Sequence, residues 1–215
     1  MGLTETKGGV VVLAALTGAG LSAAAGLNAY IPFLMVALMA RYTEIINLPA
    51  QFAWIESPWA IGAASVLLLS EVVLDKIAIV DHINDAFGTF IRPATGGLIF
   101  AATQAAEDLE QGSSFMADNP WIGVVAGIVT AGVVHTGKAA IRPLVNGATF
   151  GLGAPVVSTA EDTASIGLSL VAIFLPVLVV FALLLLLWGM FAVWRAARRR
   201  RKKRDTAMVG AGYYS

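Results

Sequence analysis

Long apolar runs alternate with short polar segments along the whole chain. Residues 9–41 are almost entirely apolar, and further apolar runs begin at Pro58, Pro120 and Ile166. Several of these runs approach or exceed the roughly 20 residues that cross the hydrocarbon core of a bilayer as a helix. The pattern predicts an all-α fold, a polytopic bundle of transmembrane helices that forms a single membrane domain over residues 1–194.

The first apolar segment, residues 9–41, is too long for one straight transmembrane helix at about 1.5 Å per residue. The sequence "GLNAYIP" interrupts it around Asn28. We expect either one discontinuous helix or a short helical hairpin, and the sequence leaves both open. Gly18, Ser22 and Gly26 recur every four residues, a spacing of small side chains that is typical of close helix packing.

Two stretches of 19 residues share landmarks in the same order and predict an internal duplication. "PWAIGAASVLLLSEVVLDK" begins at Pro58, "PWIGVVAGIVTAGVVHTGK" begins at Pro120, and Ile-Arg-Pro and Ala-Glu-Asp follow each of them. In both, a helix-opening proline comes directly after a capping residue, Ser57 or Asn119. The predicted units are parallel repeats over residues 58–108 and 120–162, followed by a final transmembrane helix over residues 166–194.

The composition agrees with a membrane protein. Of the 215 residues, 58% are hydrophobic and 13% are charged, whereas about 25% of the residues of a soluble domain are charged. The mean hydropathy is +0.79. A large soluble domain is excluded because no polar segment is long enough to form one. The chain contains no cysteine, which excludes disulfides and thiolate metal sites.

The formal net charge of zero hides a basic tail. Eight of the fourteen Lys and Arg residues lie in "RAARRRRKKR", just after an apolar helix that carries Trp188 and Trp194. This position predicts a protein of the cell membrane whose C-terminus, residues 195–215, is cytoplasmic. It also favours contact with anionic lipid headgroups over nucleic acid. The residues expected to bind headgroups are Arg195, Arg198, Arg199, Arg200, Arg201, Lys202, Lys203 and Arg204.

Charge also sets the expected topology of the loops. The cations of the two repeat units are expected to face the cytoplasm; they are Lys76, Arg92, Lys138 and Arg142. The acidic segments 107–119 and 159–166 are then external loops. A hairpin in the first segment would place the N-terminus outside, whereas a single broken span would place it inside.

Glu71 and Asp75 lie one turn apart within an otherwise apolar helix. Glu71 is about 20 Å from the start of that helix, inside the hydrocarbon region. Ionisable groups at this depth are costly and normally face the bundle interior or a polar cavity. With Lys76, the two carboxylates predict a proton, cation or substrate site. The alternative is a structural ion-pair cluster with Arg92 or Lys138 as partner.

Other polar residues extend this candidate site. His135 lies at a similar depth in the second repeat unit. Asn28 and Asn146 lie in segments interrupted by Gly and Pro, where transporters expose backbone groups to a ligand. Packing within the bundle is the alternative for each. Asp81, in the connector "VDHIND", is also a candidate residue of the substrate or ion site. The spacing in this connector fits a metal only loosely and favours a solvated cytoplasmic connector with an amphipathic helix, so no metal is predicted. No cofactor or catalytic motif is present, and the chain is expected not to be an enzyme.

Four segments resemble an uncharacterised family of integral membrane proteins, the domain of unknown function 4126. They are "AAAGLNAYIPFLMVAL", "SEVVLDKIAIVDHINDAFGTFIRPATGG", "NPWIGVV" and "VNGATFGLGAPVVSTAEDTAS". The resemblance covers residues 9–194 and includes a Glu, an Asp-Lys pair and a following Asp that match Glu71, Asp75, Lys76 and Asp81. It implies a multi-pass fold and no established activity, ligand or cofactor.

Two functions follow from these features. The first is a small permease-like transporter with a buried site of carboxylates and lysine. The second is a non-catalytic accessory subunit of a larger membrane complex, for example a respiratory assembly. The expected partners are membrane lipids and other membrane protein subunits or further copies of the chain, and not nucleic acid.

Overall fold

The computed structural model describes residues 3–74, 78–110, 118–149 and 152–212. Within them, the side chains of residues 3–11, 78–85, 105, 107–110, 148, 197 and 200–212 lie outside the description. In these ranges the chain forms seven α-helices, is 89% helical and contains no strand. The helices are α1 (Leu3–Leu27), α2 (Tyr30–Tyr42), α3 (Pro58–Leu74), α4 (Ala78–Glu110), α5 (Pro120–Thr149), α6 (Ala154–Phe174) and α7 (Val179–Gly212). The prediction of an all-α bundle is confirmed.

Two of the helices begin where the sequence placed a proline. α3 starts at Pro58 and α5 at Pro120. The hydroxyl of Ser57 accepts a hydrogen bond from the amide of Ala60 at 3.2 Å, so it caps α3 as expected.

α1 lies at the centre of the bundle, against α4, α5 and α6. Its small residues allow this close approach. A Cβ atom added to Gly26 would lie 2.5 Å from the carbonyl oxygen of Ala131 on α5, and one added to Gly18 would lie 3.0 Å from the ring of Phe100 on α4. The hydroxyl of Ser22 donates to the carbonyl of Gly96 at 2.9 Å. The predicted packing role of the small-residue stripe is confirmed.

α1 and α2 form a helical hairpin whose tip lies inside the bundle. Only Asn28 and Ala29 separate the two helices. The side-chain oxygen of Asn28 accepts hydrogen bonds from the amides of Tyr30 at 3.0 Å and Ile31 at 3.2 Å. These bonds provide a partner for two backbone amides in the first turn of α2, where the helix itself offers no acceptor. Beyond α2, Ile46 lines the same cavity as Ala14, so α2 runs back alongside α1. The structure therefore selects the hairpin from the two alternatives.

Among the described residues, three helical stretches are long and apolar enough to cross a membrane: Pro120–Gly147, Ala154–Phe174 and Pro176–Ala196. The apolar parts of the hairpin, Val12–Leu27 and Tyr30–Tyr42, are shorter. The protein therefore has the helices of a membrane protein.

The C-terminal half contains a break that the sequence prediction missed. A single final helix was expected over residues 166–194, but α6 ends at Phe174 and α7 begins at Val179, with a short 3-10 helix at Pro176–Leu178 between them. Leu175 has φ −139° and ψ 57°, outside the helical region. The cause is Pro176, because a proline disfavours helical geometry in the residue before it.

α7 runs parallel to α5. Val179, at its start, packs beside Gly20, which lies nearer to the start of α1 than Gly26 and its neighbour Ala131 on α5, whereas Met190 packs against Gly137 in the second half of α5. The basic tail that follows α7 therefore lies at the end of the bundle towards which the hairpin tip points.

The expected external loop at residues 159–166 is wrong, because these residues lie within α6. Hydrogen bonds and ion pairs inside the protein satisfy the polar side chains of this segment. The hydroxyls of Thr159 and Thr163 donate to backbone carbonyls one turn earlier, both at 2.8 Å. Glu161 forms ion pairs with Lys138 and Arg142 of α5 inside the bundle.

The internal duplication stays a prediction. In the first unit α3 ends at Leu74 and Arg92 lies on the next helix, whereas α5 of the second unit continues through Lys138 and Arg142 to Thr149. The shared Ile-Arg-Pro sequences therefore stand on different helices of their units. The end of the second unit, at residue 162, falls within α6.

Candidate functional site

One face of α5 carries a stripe of polar residues. His135, Lys138, Arg142 and Asn146 are spaced by three or four positions, which places them on the same side of a helix. The first three are each 3% exposed. Lys138 and Arg142, which were expected to face the cytoplasm, are held inside the bundle by the carboxylate of Glu161 on α6, and the side of the membrane to which they are nearer stays a prediction.

The upper part of this stripe belongs to a triad of Glu71, Arg92 and His135. Arg92 Nη2 lies 2.7 Å from Glu71 Oε1, and Arg92 Nη1 lies 3.0 Å from His135 Nδ1. Arg92, which was expected to face the cytoplasm, is 1% exposed and therefore buried in the bundle, and Glu71 is 6% exposed. The triad connects α3, α4 and α5 through one buried guanidinium.

The histidine of the triad has a defined tautomer. A guanidinium only donates hydrogen bonds, so His135 Nδ1 must accept one from Arg92 and carry no proton. The proton then lies on Nε2, which is 3.1 Å from Thr89 Oγ1 and donates to it. A neutral imidazole is thus the form that completes the triad.

A glycine makes room for the arginine. A Cβ atom added to Gly88, four residues before Arg92 on α4, would lie 3.0 Å from its guanidinium carbon. The guanidinium thus lies over the backbone of its own helix, where only the smallest residue fits.

The lower part of the stripe forms the hairpin-tip cluster, which consists of Leu27, Asn28, Lys138, Arg142, Glu161 and Asp162. Lys138 Nζ donates to the carbonyl oxygen of Leu27 at 2.8 Å and lies 3.1 Å from Glu161 Oε2. Arg142 pairs with the same carboxylate. Since Leu27 is the last residue of α1, its carbonyl lies at the partially negative end of that helix, where a cation is stabilised.

Asn28 joins the hairpin tip to α6. Its side-chain amide donates to Asp162 Oδ1 at 2.9 Å, and it is 1% exposed. One turn away, the hydroxyl of Ser165 donates to the carbonyl of Ala24 at 3.0 Å. The tip is therefore held by side chains of both α5 and α6.

Charges balance across the triad and the cluster. Their described side chains include three cations and three carboxylates: Arg92, Lys138, Arg142, Glu71, Glu161 and Asp162. Breaking a buried ion pair on one side leaves an uncompensated charge at low dielectric, so such a balance is required for stability.

The structure places the site residues predicted from the sequence in different surroundings. The structure brings Glu71 and His135 together through Arg92 and places Asn28 in the neighbouring cluster. The side-chain nitrogen of Asn146 is buried with no hydrogen-bond partner among the described residues. The remaining three residues are less fully described: Asp75 and Lys76 lie outside the described residues, and Asp81 lies on α4 with its side chain outside the description.

Sequence reasoning missed Glu161 and Asp162 as site residues because it assigned them to an external turn. Two signals pointed to them. Three cations in apolar helices require carboxylates, and the segment that begins with Ala154 and Pro155 has the proline that often starts a helix. No group of three or more metal-ligating side chains occurs among the described residues.

A cavity opens beside the hairpin-tip cluster. It has a volume of about 290 Å³ and lies between α5, α6 and α7. Leu27, Lys138 and Glu161 line one side of it, and the other walls are mostly apolar. The cluster therefore adjoins space large enough for a small ligand.

Comparison with known proteins gives a family and no characterised relative. The model of a family described as a domain of unknown function, DUF4126, matches residues 15–196. No curated protein and no solved structure matches the chain.

Proposed function

Because the chain belongs to the DUF4126 family, whose description assigns no activity, we propose a function from the geometry of the site. The protein is a small membrane transporter that moves a cation through the hairpin-tip cluster. This role is non-catalytic.

The helix break at Leu27–Tyr30 carries the proposal. Backbone that leaves helical geometry at membrane depth is tolerated where it is buried in protein or lines a cavity, and transporters place substrate sites at such breaks. Here the break contacts Lys138 and Asp162 and adjoins the 290 Å³ cavity.

The ligands around Lys138 Nζ are those of a cation site. The ammonium lies between the carbonyl of Leu27 and the carboxylate of Glu161, both oxygen donors. If the lysine side chain swings away, the carboxylate stays paired with Arg142. A transported cation can therefore replace the ammonium without leaving Glu161 uncompensated. The triad of Glu71, Arg92 and His135 joins α3, α4 and α5 through one buried guanidinium and serves to fix these three helices.

The proposal includes an orientation in the cell membrane. The basic tail after α7 lies in the cytoplasm by the positive-inside rule. Since the hairpin tip points towards that end, the site opens first to the cytoplasm, and the N-terminus lies outside.

An accessory subunit is the second candidate, and the surface of α7 favours it. Only 6% of its most apolar window is buried. Leu185 is 67% exposed and Trp188 is 68% exposed. In a larger membrane complex this face would contact a neighbouring subunit; in an isolated transporter it contacts lipid.

Reconstitution separates the two candidates. The purified protein is placed in liposomes that contain a pH-sensitive dye, and gradients of sodium, potassium or methylammonium ions are imposed. Wild type is expected to move at least one of these cations or exchange it for protons. Glu161→Gln should abolish the movement, whereas Glu161→Asp, which keeps the charge, should retain part of it. Glu44→Gln, at an exposed site, is the matched control.

One combination of results would contradict the proposed transporter. Folded wild type that moves none of the three cations, together with a membrane protein that co-purifies from mild detergent in fixed proportion, contradicts the transporter and supports the accessory subunit.

A further inference from the structure

The end of the apolar span in α7 carries a second candidate site, separate from the hairpin-tip cluster. The span ends at Ala196. Around it, five residues of α7 line a wide-open surface cavity of about 470 Å³: Phe191, Trp194, Arg195, Arg198 and Arg199. Their spacing by three, four, seven and eight positions places them on one face of the helix.

Aromatic rings and guanidinium groups are layered in this cavity. The rings of Phe191 and Trp194 lie 5.8 Å apart, towards the apolar span. The guanidinium carbon of Arg198 lies 5.2 Å from the centre of the Trp194 ring, on the side of the tail. Tryptophan is enriched where a helix leaves the membrane, because its ring suits the interface between acyl chains and headgroups.

We propose that this cavity binds the headgroup of an anionic phospholipid. Among the described side chains its lining contains three guanidinium groups and no carboxylate, so its charge favours an anion. Arginine matches phosphate because its planar N–H donors form paired hydrogen bonds to two oxygens. Stacking on Trp194 orients the guanidinium of Arg198 and leaves its edge available for that contact.

The order of aromatic rings and guanidinium groups along α7 favours a lipid as the source of the phosphate. A phospholipid places its glycerol and acyl chains beside Phe191 and Trp194 while its phosphate reaches the arginines. The positions of the three cations also discriminate between headgroups. Phosphatidylglycerol carries a net negative charge, whereas phosphatidylcholine adds a quaternary ammonium that the three guanidiniums repel.

The test compares lipids on the full chain. Native mass spectrometry counts phosphatidylglycerol and phosphatidylcholine retained by the protein from a mixture of equal parts, and thermal unfolding is recorded with each lipid. Wild type is expected to retain phosphatidylglycerol selectively and to melt at a higher temperature with it. Arg198→Gln/Arg199→Gln should lose both the selectivity and the shift.

The chain offers a matched control at the other end of the bundle. The guanidinium of Arg41 lies 5.6 Å from the centre of the Tyr42 ring, a similar cation–aromatic pair outside the cavity. Arg41→Gln should leave lipid selectivity unchanged. Trp194→Leu keeps all three charges and should weaken the selectivity, because Arg198 then loses the ring that orients it.

Three results overturn the proposal. One is unchanged selectivity in Arg198→Gln/Arg199→Gln. Another is selectivity that disappears only when residues 200–204 are neutralised, which would indicate diffuse attraction to the tail. The third is tighter binding of an RNA oligonucleotide than of phosphatidylglycerol.

Discussion

Lys138 Nζ lies 2.8 Å from the carbonyl oxygen of Leu27, so a side chain of α5 caps the end of a helix that stops inside the bundle. The carbonyls at the end of a helix lack partners within the helix, and water is scarce at this depth. The lysine satisfies one of them and also pairs with Glu161. A single ammonium therefore stabilises both the helix break and the cluster around it.

This arrangement predicts that Glu161 matters more for stability than Lys138. Glu161→Gln leaves two buried cations without their carboxylate and should cost about 3–5 kcal/mol. Lys138→Gln leaves the carboxylate paired with Arg142 and should cost about 1–3 kcal/mol. Thermal unfolding in detergent measures both, with Thr136→Ala, at an exposed position of α5, as control. Equal losses would contradict the shared role of Glu161.

Glu71→Gln should destabilise the protein by about 3–5 kcal/mol, because it removes the carboxylate that pairs with the buried guanidinium of Arg92. The double variant Glu71→Gln/Arg92→Gln removes both charges and should recover most of that loss. The measurement is again thermal unfolding. A double variant that is less stable than Glu71→Gln would show that Arg92 is held chiefly by other groups.

Gly26→Ala should destabilise the bundle by about 1–3 kcal/mol, because the added methyl group overlaps α5. Its Cβ would lie 2.5 Å from the carbonyl oxygen of Ala131 and 2.8 Å from Val134 Cβ. Gly62→Ala is the control: nothing lies within 4 Å of its Cβ position. That change should be neutral or stabilise α3 by up to about 1 kcal/mol. If both changes have the same effect, the close approach of α1 and α5 is wrong.

Cysteine labelling tests the orientation, and the cysteine-free chain gives no background. Single cysteines at Glu44, Ser114 and Arg201 are treated with a membrane-impermeant reagent on intact cells and after lysis. Positions 44 and 114 should react in intact cells, and position 201 only after lysis. Labelling at 201 but not at 114 would invert the orientation. Opposite results at 44 and 114 would contradict the hairpin.

The sequence was sufficient to predict the helices and the burial of charge, but not the partners of the charges. Proline at positions 58 and 120, the apolar runs and the small-residue stripe are local signals, and each marks a feature found in the structure. The pairing of Glu71 with Arg92 was one of two alternatives. Nothing local distinguishes a cation that faces water from one that faces a carboxylate on another helix.

The errors at the C-terminal half have the same origin. An acidic segment was assigned to a loop because its charges are unfavourable in lipid, but Glu161 is stabilised by Lys138 and Arg142 from a helix that precedes it in the chain. The helix break at Leu175 had a local signal, the proline at position 176. The prediction of one continuous helix gave more weight to the apolar residues on both sides of that proline.

The hairpin also has a consequence for the order of assembly during synthesis. Its tip leaves the ribosome early, yet the lysine that caps Leu27 is 111 residues further along, and the carboxylate that binds Asn28 is 134 residues beyond that asparagine. Until α5 and α6 have been made, the tip of the hairpin cannot complete its hydrogen bonds. The first segment to be translated is therefore among the last to reach its final place, and its docking closes the bundle.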